Sequence, residues 1–239
     1  MNDKKVLLID DDTDLLRLAG LLFKKTGAEI VTARDGLEGM KKMYNYQPDL
    51  IILDVMMPGM DGFEVCRRIR QVSDTPLIML TASNQERDML TGLEAGADDF
   101  LTKPFNTEIL LARTKTVLRR AEHQNNNNNN GGSFKYDDGH LSIDIERRQV
   151  LVMGKKIKLT QVEFRLLVYL ARNAGKVLTF EQLLANVWGN EYRGSTDYVH
   201  VYISHLRSKL GENGRNSRYI LTLHGIGYIF EKQEIEYKL

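Results

Sequence analysis

The stretch Leu50 to Gly62, LIILDVMMPGMDG, runs four apolar residues into a single acid, Asp54. An apolar run of this length between turn formers reads as a strand buried on both faces, the habit of a parallel sheet. Asp54 then falls at the carboxyl end of that strand, the edge where ligands gather in open α/β sheets. Pro58-Gly59 and Asp61-Gly62 mark a loop after it. Taken alone, Asp54 could also be a cap for the next element.

Its neighbours in the chain extend the pattern. Val6 to Ile9 is another short apolar run, and it ends in Asp10, Asp11 and Asp12. Leu15, Leu18, Leu22 and Phe23 have the spacing of one buried helix face. Ile30 to Ala33 predicts a strand, and Leu37, Met40, Lys41 and Tyr44 predict a second helix up to Gln47-Pro48. The alternation continues with helices at about 62–71, 84–95 and 106–120, separated by strands at Leu77 to Leu80 and Asp99 to Leu101. Strands alternating with helices predict an α/β, doubly wound five-stranded parallel sheet of flavodoxin-like type. Right-handed crossovers would leave all carboxyl ends on one edge, gathering Asp10, Asp11, Asp54, Thr81 and Lys103.

Those residue types define a chemistry. Clustered carboxylates repel and so either raise their pKa values or recruit a divalent cation. With oxygen ligands and no nearby His or Cys, the cation is Mg²⁺ rather than zinc. Thr81 can donate to a phosphoryl oxygen and Lys103 can neutralise one, which leaves Asp54 as the nucleophile of a phosphoryl transfer. Each residue also has an ordinary role: helix-start acids for Asp10 to Asp12, a cap for Thr81, a surface charge for Lys103.

The motifs DDD at 10–12, LDVMMPGMDG at 53–62, MLTA at 79–82 and GADDFLTKPF at 96–105 resemble those of a bacterial two-component receiver domain. The resemblance implies that Asp54 is the phosphoacceptor and that Asp11, Asp54 and the Met56 carbonyl hold Mg²⁺, with Asp10 acting at the metal or through its water. It implies that Thr81 and Lys103 bind the phosphoryl group, that Lys103-Pro104 is a cis peptide, and that Phe100 turns inward as Thr81 moves. It also implies a homodimer when phosphorylated, through the fourth helix, fifth strand and fifth helix, using Asp98, Asp99, Arg113 and Arg120. Where relatives often carry a further Lys and Glu pair, this chain has Met89 and Ile109, which predicts a more apolar contact. A haloacid-dehalogenase-like phosphatase also has an aspartyl nucleophile after a strand, but its Asp-x-Asp-x-Thr/Val pattern breaks at Asp14.

Residues 122–133 run through six asparagines into Gly-Gly-Ser and read as a flexible linker between domains at 1–121 and 134–239. The charge changes sign across it. The first domain has 17 Lys+Arg against 19 Asp+Glu, a net −2, and the second has 16 against 12, a net +4. Such an excess is compatible with a phosphate-backbone partner without demanding one.

In the second domain, strands are predicted at Phe134 to Tyr136, Leu141 to Ile145, Val150 to Val152 and Lys156 to Leu159, with a turn at Met153-Gly154-Lys155. Capping-box patterns at Thr160 with Glu163 and Thr179 with Gln182 open two helices. A third helix, about 195–210, buries Val199, Ile203, Leu206 and Leu210 and turns Tyr198, Val201, Tyr202, Ser204, His205 and Ser208 outward. Strands at Tyr219 to Leu223 and Tyr228 to Phe230 close on a hairpin at His224 to Gly227, completing a winged helix-turn-helix of α+β type.

LTQVEFRLLVYLARNAGKVLTFEQLLANVW, VHVYISHLRSKL and YILTLHGIGYIF resemble the output domain of OmpR/PhoB-type response regulators. By that match Tyr202, Ser204, His205 and Arg207 face double-stranded DNA, with Thr222 and His224 on the wing, and the loop at 189–194 meets RNA polymerase. Ser204, His205 and His224 stand where arginine is frequent in relatives, and Asp197 replaces another, which predicts fewer phosphate contacts. The implied function is a DNA-binding transcriptional regulator, phosphorylated by a sensor histidine kinase and bound to direct-repeat promoter sites. It is a switch rather than an enzyme, with at most slow self-dephosphorylation. The alternative keeps the first domain and makes the winged helix a protein-interaction module that does not bind DNA.

Composition sets the frame for both readings. With 239 residues, 42% hydrophobic and 27% charged, the chain can fill two globular cores. One cysteine, Cys66, excludes an internal disulfide framework. The amino-terminal apolar run is too short for a signal peptide and nothing approaches membrane-spanning length, so the expected location is cytoplasmic, with no membrane partner.

Overall fold

Leu50–Asp54 forms the central strand, β3, and all five of its residues are buried. In a computed structural model that describes residues 1, 3–82, 91–126, 134–212 and 217–233, the chain divides into two units, Met1–Asn125 and Asn126–Leu239. The first holds β1 (Lys5–Ile9), α1 (Thr13–Lys24), β2 (Glu29–Ala33), α2 (Gly36–Tyr46), β3, α3 (Gly62–Val72), β4 (Leu77–Thr81), α4 (helical at 91–94), β5 (Asp99–Thr102) and α5 (Thr107–Asn126). The sheet order is β2-β1-β3-β4-β5, and every pairing is parallel. The doubly wound architecture follows.

Alternate residues of β3 serve opposite faces, as the period of a strand requires. Ile51 and Leu53 join Val65, Cys66 and Ile69 of α3 in one core. Leu50 and Ile52 join Leu16, Ala19 and Phe23 of α1 and Leu110, Val117 and Leu118 of α5 in the other. The helix phases differ from the expected ones. Leu18 is 63% exposed, Leu37 69% and Tyr44 78%, whereas Gly20 of α1 and Gly39 of α2 face the sheet and Gly36 of α2 faces Val65 of α3. A Cβ on Gly39 would lie 2.5 Å from Cδ1 of Ile9. At Gly20 and Gly39 the helices approach the sheet closely, while Leu18, Leu37 and Tyr44 turn outward.

Acids start the helices. Asp12 accepts from the amides of Asp14 and Leu15, Asp35 from Glu38, and Asp61 from Glu64. The ordinary role of a helix-start acid thus belongs to Asp12, not to Asp10 or Asp11. Helix α5 runs on to Asn126, past the expected start of the linker at 122, and residues 127–133 lie outside the described residues.

The second unit opens with an antiparallel sheet of β6 (Lys135–Asp137), β7 (Leu141–Asp144), β8 (Gln149–Val152) and β9 (Lys155–Lys156). The last strand is shorter than expected, because the chain must leave the sheet to reach the cap at Thr160. Helix α6 (Gln161–Arg172) starts with the expected capping box, and Thr179 with Gln182 repeats it before α7 (Phe180–Leu183). A π-helical segment (Leu184–Trp188) continues α7, and α8 (Thr196–Lys209) follows. Strands β11 (Ile220–Leu223) and β12 (Gly227–Phe230) form the wing, and a short unexpected strand, β10 (Val177–Thr179), pairs with β12. A Cβ on Gly227 would lie 1.9 Å from the Leu178 carbonyl, so only glycine admits this pairing.

Candidate functional site

The parallel sheet delivers the expected acids to one edge. Asp10 follows β1 and is 2% exposed, Asp54 ends β3 at 2%, and Asp11 is exposed beside them. One carboxylate oxygen from each of Asp10, Asp11 and Asp54 lies within 4.8 Å of the others. Nζ of Lys103, after β5, sits 2.7 Å from Oδ2 of Asp10 and 2.7 Å from Oδ1 of Asp54. The Lys103-Pro104 peptide is cis. Thr81 ends β4, is 1% exposed, and accepts the Lys103 amide on its carbonyl at 2.5 Å.

Burial pushes the Asp54 carboxyl above the ordinary carboxylate range, and the charges of Asp10 and Asp11 push the same way against the pull of Lys103. Burial works against the Lys103 ammonium, but its hydrogen bond to Asp10 and the Asp54 carboxylate 2.7 Å away outweigh it and raise its pKa, so the side chain stays charged. Asp10 and Asp54 thus share one ammonium, with Asp11 beside them. Oδ1 of Asp54 lies off the direction of a hydrogen bond from Lys103, and no other described group donates to it. An all-oxygen set with a buried acceptor left open suits a hard cation such as Mg²⁺.

Sequence reasoning missed Gly62 as part of this site, seeing only a turn former. A Cβ there would fall 2.1 Å from the carbonyl oxygen of Asp54, while the Gly62 amide donates to Val55 at 2.9 Å. Phe100 is 4% exposed and already turned inward, its ring against the bare Cα of Gly92 in α4.

The acids expected between two copies are engaged within the chain. Asp98 is 4% exposed and pairs with Arg70 at 2.8 Å. Asp99 is fully buried and pairs with Arg113, also at 2.8 Å. Arg120 is partly buried, Ile109 is 48% exposed, and Met89 lies outside the described residues.

In the second unit the outward face of α8 is narrower than expected. Ser204 and Ser208 are exposed and His205 partly so, but Tyr198, Val201 and Tyr202 are 3%, 8% and 1% exposed. Tyr202 is therefore removed from the recognition face. Its ring packs on Trp188 at 5.3 Å between centroids, because α8 is sandwiched between the helices and the wing. Arg207 is turned to the wing as well: Nε and Nη2 donate to the Ile220 carbonyl at 3.1 and 2.5 Å, and Nη2 donates to Oγ1 of Thr222 at 2.8 Å. Thr222 is partly buried and His224 is exposed at the wing tip. Beneath α8, buried Glu163 lies 2.6 Å from Nζ of Lys209 and 3.8 Å from Nδ1 of His205, so the capping-box acid also anchors α8.

Comparison with known proteins gives both units a family. Residues 6–115 match the response regulator receiver domain, and residues 154–230 match the transcriptional regulatory protein C-terminal domain. The chain is 43% identical over 233 residues to the probable transcriptional regulator ycf27 of Cyanophora paradoxa, covering 97% of this chain and 98% of that one. It is 40% identical over 241 residues to the alkaline phosphatase synthesis transcriptional regulatory protein PhoP of Bacillus subtilis, covering 98% and 99%. The solved structure of a RitR mutant is similar at 28% identity and a TM-score of 0.79, over 96% of this chain and 100% of that one.

Fold and site together define a response regulator, a receiver joined to a DNA-binding transcriptional regulatory domain. Within that class the chain belongs to the OmpR/PhoB family. Among the described residues, no helix is long and apolar enough to cross a membrane.

Proposed function

We propose that the chain is a phosphorylation-controlled regulator in which Asp54 accepts a phosphoryl group from a sensor histidine kinase and the wing and α8 bind promoter DNA. The observation that carries this reading is the buried Asp54 carboxylate at the carboxyl end of β3, 2.7 Å from the Lys103 ammonium and grouped with Asp10 and Asp11. An oxygen of Asp54 bonds to phosphorus as the bond from phosphorus to the kinase histidine nitrogen breaks. Lys103 moves its charge onto the incoming phosphoryl oxygens, and the Thr81 hydroxyl donates to one of them. Mg²⁺, held by Asp10, Asp11, Asp54 and the Met56 carbonyl, would supply further neutralisation of the transferred charge.

Thr81 following the phosphoryl group opens the space behind it, and Phe100, on the neighbouring strand, responds from its inward position. Receiver dimerisation through α4, β5 and α5 then sets two output domains on direct-repeat half-sites about one helical turn apart. RNA polymerase meets the loop at 189–194. Turnover is limited to slow self-dephosphorylation.

The test has two arms. With Mg²⁺ and a small-molecule phosphodonor, intact protein gains the mass of one phosphoryl group and Asp54→Asn protein does not. Gel shifts against random duplex at two salt concentrations show binding that weakens with salt. An Asp54→Asn protein that dimerises on phosphodonor addition, or a wild-type protein that binds no duplex at either salt concentration, would sink the reading.

A further inference from the structure

His200 stands on the exposed side of α8, and its ring is fixed from beneath. Its Nδ1 lies 2.8 Å from the Tyr228 hydroxyl on β12, and the ring makes edge contacts with Phe180 at 5.0 Å and Tyr228 at 6.1 Å between centroids. Tyr228 is 3% exposed, and Nδ1 of His200 is the one hydrogen-bond partner of its hydroxyl among the described residues. A buried phenol must place its proton on an acceptor. Tyr228 therefore donates and Nδ1 accepts, which puts the proton of the neutral imidazole on Nε2. Burial raises the Tyr228 pKa, against the opposing pull of Arg207, and so keeps the phenol protonated to donate.

The surroundings make that Nε2–H prominent. Residues four apart on a helix share a face, so His200, Ser204 and Ser208 form one exposed ridge. The two serines are short and let the helix approach a surface closely, which leaves the imidazole as the longest arm. Tyr202 is packed on Trp188 and Arg207 is committed to the wing, so neither competes for the same role.

We propose that His200 is a specificity-determining residue of the output domain: an Nε2–H donor, oriented by Tyr228, that reads an acceptor atom on the major-groove edge of one base pair in each half-site. Guanine is the base it fits, because O6 and N7 offer two adjacent acceptors to a single donor. The proposal rests on the reading of α8 as the DNA-recognition helix, and it makes Tyr228 a positioning residue for His200.

The experiment selects bound duplexes from a random pool with full-length, phosphodonor-treated protein, comparing wild type with His200→Ala, Tyr228→Phe and the double variant. Wild type is expected to favour guanine at one position per half-site by about fivefold or more, the usual scale of one mismatched pair. Both single variants lose that preference while the other positions serve as internal controls, and the double variant loses no more than His200→Ala does. Tyr228→Phe removes a hydroxyl with no other partner, so it strands no buried group. Ring-nitrogen NMR of wild type places the proton on Nε2. A His200→Ala protein with every base preference intact, or a wild-type ring protonated on Nδ1, overturns the proposal. Loss in His200→Ala with retention in Tyr228→Phe overturns the orienting role of Tyr228. A wild-type protein that enriches no duplex overturns the DNA-binding reading itself, a result distinct from the other outcomes.

Discussion

Nη2 of Arg70 lies 2.8 Å from Oδ2 of Asp98, with the two side chains 9% and 5% exposed. The same carboxylate oxygen accepts the Leu77 amide, and Arg70 also donates to the carbonyls of Gly96 and Thr75 at 2.7 Å each. One guanidinium thus ties the end of α3 to the entries of β4 and β5. Removing one member of a buried pair costs about 3–5 kcal/mol, because the other is left charged and unpaired. Asp98→Ala is expected to lose that much in urea unfolding of the receiver, and a loss below about 1 kcal/mol would show the pair to be solvated.

Closure of Asp98 on Arg70 and of Asp99 on Arg113 bears on dimerisation. Charges already paired inside a chain contribute little to a contact between chains, whereas Ile109 on α5 is 48% exposed. The phosphodonor-treated dimer is therefore expected to change its dissociation constant less than about threefold between 0.1 and 0.5 M salt, despite the fall in Debye length. Ile109→Asp should weaken it at least about tenfold, since the charge would be buried unpaired. Sedimentation velocity reads both, and steep dissociation by salt would restore an ionic interface.

For Asp54, the raised pKa makes a stability prediction. A carboxyl whose folded pKa exceeds its unfolded value, about 3.9 for Asp, contributes its full stability below that value and loses it as pH rises through the folded pKa. Burial is the main cause of the shift, with Asp10 and Asp11 adding to it. At neutral pH the ionised group therefore weakens the metal-free fold. Asp54→Asn should raise the thermal midpoint at pH 7 by a few degrees, the scale of ~1 kcal/mol in a domain this size. The gain should vanish below about pH 4, and stabilisation by added Mg²⁺ should shrink. Thermal scans at both pH values check it, and a midpoint below that of wild type at pH 7 contradicts it.

Gly62 makes a steric prediction. A methyl group there would meet the Asp54 carbonyl at 2.1 Å, and the obstacle is backbone rather than a movable side chain. Gly62→Ala must displace either the loop or the end of β3. Phosphoryl uptake should fall at least about tenfold, because small misplacements of reacting groups carry large rate penalties. Mass spectrometry over time measures it, with far-UV circular dichroism confirming that the fold persists.

The strand-end cluster was legible because topology does the gathering: once the apolar runs at Val6, Leu50 and Leu77 are parallel strands, their carboxyl ends share an edge. Helix phase was not legible where close packing uses small residues. Leu18, Leu37 and Tyr44 carry the hydrophobic signal, yet Gly39 is what fits against Ile9, and a missing side chain leaves no mark in a hydropathy pattern. Tyr202 misled for a related reason, since α8 is covered on two sides and a single stripe underestimates its buried arc. Arg70 and β10 depend on partners remote in sequence, Asp98 in one case and β12 in the other.

Arg207 separates two kinds of DNA-binding arginine. Its guanidinium donates to the Ile220 carbonyl and the Thr222 hydroxyl and lies 5.5 Å over the Tyr228 ring, so it joins α8 to the wing. A phosphate-contacting arginine, when replaced, lowers the slope of log affinity against log salt by about one. A wing-tethering arginine leaves that slope unchanged while weakening binding to every sequence, because the wing no longer holds its angle to α8. Arg207→Lys is the informative change: the positive charge remains, but the planar fork that serves the Ile220 and Thr222 oxygens together is lost. The expected result is an unchanged salt slope, weaker binding to all duplexes, and an output domain destabilised by about 1.5–3 kcal/mol, the scale of charge-assisted hydrogen bonds. Stability left intact by Arg207→Lys, together with a slope lower by about one unit in Arg207→Met, would instead return Arg207 to the DNA backbone.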